Sequence, residues 1–217
     1  MQPLTVEIWS DVVCPWCYIG KRRFEAALAQ FAHREHVVIT WRSFELDPAA
    51  PRHTLDSLDE MLARKYNVSL AQAADMGRRV TDLAAAEGLT YRLDQARPTN
   101  TFDAHRLIHF AADHNLQAEA KERLLQAYFT EGQAIGDPET LVRLGAELGL
   151  VADEVRTMLA GNTYADAVRA DEQRAAALGI RGVPFFVIDE RYGISGAQAA
   201  DTLRDALEQI WAEHPAA

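Results

Sequence analysis

The chain has 217 residues, 48% of them hydrophobic, which is enough to bury a substantial core without disulfide or metal staples. Its 22 Lys and Arg against 32 Asp and Glu leave a formal net charge of −10, which excludes nucleic acid or an anionic membrane surface as the main partner. No run approaches the roughly 18 apolar residues of a membrane helix, and no basic segment with an apolar core opens the sequence. A cytoplasmic protein is therefore expected, in which the two cysteines rest as thiols.

The first predicted element is a buried strand over residues 3–9. Both cysteines follow it, in Cys14-Pro15-Trp16-Cys17, at the start of a predicted helix over 15–33. A second strand, His36 to Phe44, is rich in β-branched residues, so the opening reads β-α-β with a parallel pair. Asp47-Pro48-Ala49-Ala50-Pro51 breaks the pattern. From Thr54 to about Gly179 the signal is helical. Its last segment places Tyr164, Ala167, Val168, Asp171, Ala175 and Leu178 on one face between Gly161 and Gly179, with Asp171 the one polar member. Pro184 then opens a strand over Phe185–Ile188, followed by Tyr192–Ile194 and a last helix from about Ala197 to Trp211. The expected fold is α/β and thioredoxin-like, with a large helical domain inserted between β-α-β and β-β-α halves. Its boundaries are 1–46 with 162–217 for the core and 47–161 for the insertion.

Two thiols at a strand-to-helix turn form a dithiol that can close and reopen. With Cys14 as N-cap, Pro15 occupies the first helical position, where its missing N–H costs nothing. The free N–H groups of Trp16 and Cys17 and the helix dipole then favour a thiolate at Cys14. Cys17, one turn deeper, is the resolving thiol. A zinc site is the rival reading, but only one cysteine pair exists. His105 and His109, spaced i, i+4 with Asp113 beyond, have Arg106 where the metalloprotease pattern has glutamate. No metal is expected. Pro184 is a candidate cis-proline that sets the Val183 backbone beside Cys14 to pair with an extended substrate. Glu7, alone in an apolar strand, either accepts the Cys17 proton or pairs with Arg42. Lys21, Arg22 and Arg23 read as a solvated helix face. Pro15, Trp16, Val183 and His105 are the candidate substrate contacts, and Asn100, His105 and Arg106 the polar groups that the insertion brings over the site.

The stretches Ser10 to Lys21, Phe44-Glu45-Leu46, Asn100 to Leu107 and Gly182-Val183-Pro184-Phe185-Phe186 resemble the DsbA-like thiol oxidoreductases, most of all their FrnE subfamily. The resemblance implies disulfide oxidoreductase or isomerase activity on protein or small-molecule disulfides, with Cys14 as nucleophile, Cys17 as its partner, Pro184 as the cis-proline and Glu7 as the buried acid of the first strand. No cofactor is expected beyond the Cys14–Cys17 disulfide itself, with glutathione as reductant or ligand. A monomer or homodimer fits equally. Pro-Trp in place of Pro-His implies a less oxidising pair. The related kappa-class glutathione transferases and 2-hydroxychromene-2-carboxylate isomerases typically carry serine where Cys14 stands. A glutathione-dependent isomerase or transferase is therefore the alternative, with Val183 and the Ser195-Gly196-Ala197-Gln198 turn as glutathione contacts. A binding module with a redox-sensing dithiol is the third reading.

Overall fold

The computed structural model describes residues 3–213. A four-stranded sheet carries the fold, with strands β1 (Leu4–Ser10), β2 (Val37–Ser43), β3 (Phe185–Ile188) and β4 (Tyr192–Ser195) in the order β2-β1-β3-β4. β1 runs parallel to β2 and antiparallel to β3, and β3 runs antiparallel to β4. Helix α1 (Pro15–Gln30) makes the crossover between β1 and β2 that a parallel pair needs. Alternation along β1 divides its side chains between two faces. Leu4, Val6 and Ile8 meet Phe24 and Ala27 of α1 and Leu203 and Leu207 of the last helix, α9 (Ala200–Glu213). Trp9 faces the other way, toward Ala175 of α8 (Ala165–Ala177).

Between β2 and α8 the chain forms six helices: α2 (Leu58–Tyr66), α3 (Leu70–Ala86), α4 (Phe102–Ala112), α5 (Gln117–Phe129), α6 (Pro138–Glu147) and α7 (Ala152–Ala160). Leu107, Leu124, Leu141, Val155 and their neighbours make a second hydrophobic core, separate from that of the sheet. Helix α1 belongs to both. Its Phe24 and Ala27 pack in the sheet core, while Tyr18 and Ile19, together with Val12, pack among the inserted helices. The start of α1, where the cysteines lie, is thus clamped between two cores.

Charges make the same clamp. Lys21, Arg22 and Arg23 are not the solvated face expected of them. Lys21 is buried and pairs with Glu25 and Glu122, Arg22 shares Glu122, and Arg23 reaches Glu87 at 2.6 Å and the Ala197 carbonyl at 2.7 Å. Burial alone raises the Glu122 carboxyl, but Arg22, Lys21 and the Tyr18 hydroxyl hold it at about 2. Asp171, the polar member of the α8 face, is buried for a similar reason. It accepts hydrogen bonds from the Ser43 N–H (2.9 Å) and Arg42 (3.0 Å) and lies 3.1 Å from His109, joining α8 to β2 and α4.

Candidate active site

β1 ends at Ser10, and a turn closed by the Cys14 N–H on the Asp11 carbonyl (3.3 Å) leads into α1. Cys14 is the N-cap with extended backbone angles (φ −89°, ψ 114°), and Pro15 takes the first helical position. The Tyr91 hydroxyl donates to the Pro15 carbonyl at 2.7 Å, tying the helix start to the insertion. Tyr91 itself stacks on Phe129, and burial raises its hydroxyl. The two cysteines approach to 3.4 Å and are free thiols. Both are nearly covered, but Cys14 lines a cavity and Cys17 does not. Trp16, 43% exposed, stands at its mouth.

The Val183–Pro184 bond is cis, and the Cys14 Sγ–H donates to the Val183 carbonyl at 3.6 Å. The strand opened by Pro184 thus lies against the N-cap. Gly20 permits this approach: a Cβ there would stand 2.8 Å from the Pro184 Cγ.

The charge in this dithiol is not where the helix start alone would put it. Cys14 occupies the N-cap, yet its side chain makes no capping bond, and the Cys17 N–H goes to the Cys14 backbone carbonyl at 3.0 Å. The Cys14 thiol is pushed up, first by the hydrogen bond it shares with Cys17, then by burial and the negative charge of Cys17. Burial pushes the Cys17 thiol up as well. Its bond from Cys14, the Lys121 charge, the Ser10 hydroxyl and the Asp11 backbone more than offset this and hold it below the ordinary thiol range. The two thiols titrate as a pair, in which the first proton to leave comes from the deeper sulfur. The Ser10 hydroxyl is buried without a hydrogen-bond partner, and its dipole adds to the groups that favour a thiolate at Cys17.

Lys121 of α5 is the second surprise. It is 1% exposed, its Nζ donates to the Ser10 carbonyl at 3.0 Å, and it lies 5.8 Å from the Trp41 ring centre. Burial drives its ammonium down to about 8, against the pull of Cys17 and Asp11. Asp11, equally buried, accepts from the Leu46 N–H at 2.8 Å and meets His105 Nε2 at 3.3 Å. Burial raises that carboxyl, but His105, the Leu46 N–H and Lys121 together keep it below its usual range. His105 is pushed down by burial, so it stays neutral. Lys121 thus acts through its charge on both Cys17 and Asp11, and Asp11 in turn meets His105.

Glu7 is elsewhere. It projects from the α8 face of β1, where Arg42 (2.5 Å) and Arg174 (2.7 Å) hold its carboxylate, and it is not among the groups acting on Cys17. The ion pair is what the structure shows. His105 and His109 turn to different carboxylates, Asp11 and Asp171. Arg106 is buried against Asp103 and the Met158, Leu159, Gly161 and Thr163 carbonyls, closing the end of α7. Asn100 donates to the Pro48 carbonyl (3.2 Å) and accepts from the Phe102 N–H (3.0 Å), so it anchors the start of α4. Asn100→Ala should therefore lower stability by about 1–2 kcal/mol and leave exchange kinetics of the folded protein unchanged. Denaturant melts and stopped-flow traces on the same sample check this.

The model of the DsbA-like thioredoxin domain family matches residues 5–208, and the chain belongs to that family. The uncharacterized protein YwbO of Bacillus subtilis is 30% identical over 204 residues, covering 93% of this chain and 94% of its own. A crystal structure of a probable DsbA oxidoreductase from Streptomyces coelicolor is 45% identical, with a TM-score of 0.94 over 99% of this chain and 92% of that one. The cytosolic disulfide reductase DsbM of Pseudomonas aeruginosa shares the fold at 19% identity (TM-score 0.66, 97% of this chain and 100% of that one). A 2-hydroxychromene-2-carboxylate isomerase shares it at 16% (TM-score 0.68, 96% and 97%).

Proposed function

We propose that this DsbA-like protein is a thiol–disulfide oxidoreductase in which Cys14 attacks and Cys17 resolves. The observation that carries the assignment is access: Cys14 faces the cavity, while Cys17 lies behind it against Ser10 and Lys121. A substrate disulfide enters beside the Val183 carbonyl and displaces the Cys14 hydrogen bond. The pair loses one proton and the other passes to Cys17, the Cys14 thiolate attacks one substrate sulfur, and the other leaves as a thiolate. That thiolate takes a proton from the Lys121 ammonium, which burial has brought to about 8, and the resulting amine accepts the Cys17 proton. The Cys17 thiolate attacks Cys14 Sγ, closing the Cys14–Cys17 disulfide and expelling the second substrate thiolate, which takes a proton from Lys121 or solvent. Read in reverse, the same steps oxidise a dithiol, and repetition on one substrate isomerises it.

The retained pair favours this reading over a glutathione-dependent isomerase or transferase, to which the likeness extends only in fold. No helix among the described residues is long and apolar enough to cross a membrane. A cytoplasmic location is the working proposal, supported by two thiols that need no oxidising compartment. The assay is insulin reduction with a thiol reductant. The wild-type protein should accelerate it, and Cys17→Ser should stop turnover while accumulating a mixed disulfide. Full turnover by Cys17→Ser would instead mark single-thiol chemistry, and a wild type that accelerates reduction of neither insulin nor a small disulfide would leave a binding module.

A further inference from the structure

The cavity that Cys14 lines is large and mostly apolar. It holds about 500 Å³ and lies between the dithiol and the α2–α3 hairpin, with Met61, Leu62, Met76, Val80, Leu83 and Trp16 among its walls. That is within the range of small-molecule sites. Helix α2 explains the shape. It carries an apolar face, Leu58, Met61 and Leu62, yet it buries none of its residues fully. Capping supplies what packing does not: Ser57 and Glu60 form a complete capping box at its start, and Asn67 in the left-handed region closes its end. On α3, Met76 and Leu83 remain 39% and 40% exposed at i, i+7 on the same side. Two helices thus turn apolar side chains toward a space that no other part of the described chain fills.

The charges of the lining give that space a polarity. Lys65 and Arg79 line it, and neither forms a hydrogen bond or ion pair with a described residue, whereas neighbouring Arg64 is paired with Asp56 and Arg78 with Asp75. Of the carboxylates in the lining, Asp11 is held by His105, and Asp47 accepts from the Ala49 N–H at 3.1 Å. On a protein of net charge −10, two unpaired cations at one apolar cavity are a local exception.

We infer that the cavity binds a low-molecular-weight thiol or disulfide with an extended apolar group and one anionic end. The sulfur meets Cys14, the apolar group fills the space under α2 and α3, and the anion pairs with Lys65 and Arg79. This rests on the exchange chemistry proposed above and names its substrate class. A polypeptide cystine fits the walls less well, because its backbone carries unpaired polar groups into a mostly apolar space. The reaction balances without a further reactant. The Cys14 thiolate bonds to the ligand sulfur, the partner thiolate leaves, and Cys17 then attacks Cys14 Sγ and frees the ligand as its thiol, so the ligand disulfide is reduced and the dithiol is oxidised to the Cys14–Cys17 disulfide.

The test uses the reduced full-length protein and three pyridyl mixed disulfides, made from mercaptooctanoic acid, octanethiol and mercaptoethanol. Each releases the same pyridinethione when Cys14 takes the alkyl sulfur. The octanoate probe should react about tenfold or more faster than the mercaptoethanol probe, since its chain is buried, and several-fold faster than the octyl probe. In the Lys65→Glu, Arg79→Glu double variant, the octanoate-to-octyl ratio should fall below one. Ratios cancel the intrinsic reactivity of the dithiol, so they report the cavity alone. Equal rates for the three probes would overturn the inference while leaving the exchange chemistry intact. A cysteine peptide with bulky apolar flanks reacting faster than the octanoate probe would overturn it in favour of a polypeptide. No reaction with any probe would remove the exchange chemistry and the inference with it.

Discussion

Lys121→Met is expected to slow the release of substrate from Cys14 by about a hundredfold, the scale of a lost general base, while the first attack slows far less. Lys121 is the cation acting on Cys17 and is fully buried, and with its ammonium lowered to about 8 it is poised to exchange a proton near neutral pH. Methionine has a similar length and no charge, so it keeps the packing against Trp41 and deletes the cation together with its hydrogen bond to the Ser10 carbonyl. Without it, Cys17 sits in a buried site with little beyond the Ser10 hydroxyl and the Asp11 backbone to support a thiolate, and its pKa should rise. Rapid-mixing traces should then show fast formation of the mixed disulfide and its accumulation. Release should recover as pH is raised toward the new Cys17 value. Stability need not suffer, since replacing a buried charge with an apolar group of similar volume is often neutral or better. An equal slowing of both steps would mean that Lys121 only holds the loop at Ser10.

Gly20→Ala tests the other support of the site, the approach of α1 to Pro184. In a helix interior the change alone stabilises by about 1 kcal/mol. Here the added methyl would stand 2.8 Å from the Pro184 ring and 3.4 Å from the Ala197 Cβ, closer to the ring than a carbon contact allows. Overpacking typically costs about 1–3 kcal/mol, so the net effect on stability should be a loss of about 1 kcal/mol. The loss of rate should be larger. Moving Val183 away from Cys14 by a fraction of an ångström spoils the alignment of an incoming disulfide, and a tenfold or greater fall in the attack rate is expected. A variant as fast as the wild type would show that the Val183 carbonyl does not align substrate.

The features legible in the sequence are those set by neighbours along the chain. The Cys14–Cys17 turn, Pro15 at the first helical position and the strand opened by Pro184 carry their own local chemistry, and the structure places them together. The strand and helix order followed from periodicity and from Gly161 and Gly179, and the observed strand boundaries and those of the first and last helices differ from the expected ones by at most three residues. What failed was the reading of charges. Lys21, Arg22 and Arg23 look like a solvated face because Glu122 and Glu87, their partners, lie far away in sequence. Glu7 could be an acid or an ion-pair partner, and Arg174, its second partner, comes from the far end of the chain. The helix dipole argued for charge at Cys14, but the Lys121 charge acts on Cys17 from a distant helix. One signal was present and unused. Lys121, Leu124, Leu125 and Tyr128 stand at i, i+3, i+4 and i+7, so helical periodicity already put this lysine on the buried stripe of α5.

Mass analysis of single-cysteine variants after one turnover tests most directly whether Cys14 attacks and Cys17 resolves. Reduced Cys17→Ser and Cys14→Ser proteins are mixed with the mercaptoethanol pyridyl disulfide, quenched at intervals and digested. Cys17→Ser should carry a stable adduct on Cys14 within the mixing time, and Cys14→Ser should modify Cys17 slower by about a hundredfold, since its sulfur lies behind the cavity wall. Wild-type protein should pass through the Cys14 adduct to a Cys14–Cys17 disulfide that carries no added mass. Equal labelling of Cys17 in the Cys14→Ser variant, or a wild-type adduct that never resolves, would contradict the assignment of the two thiols.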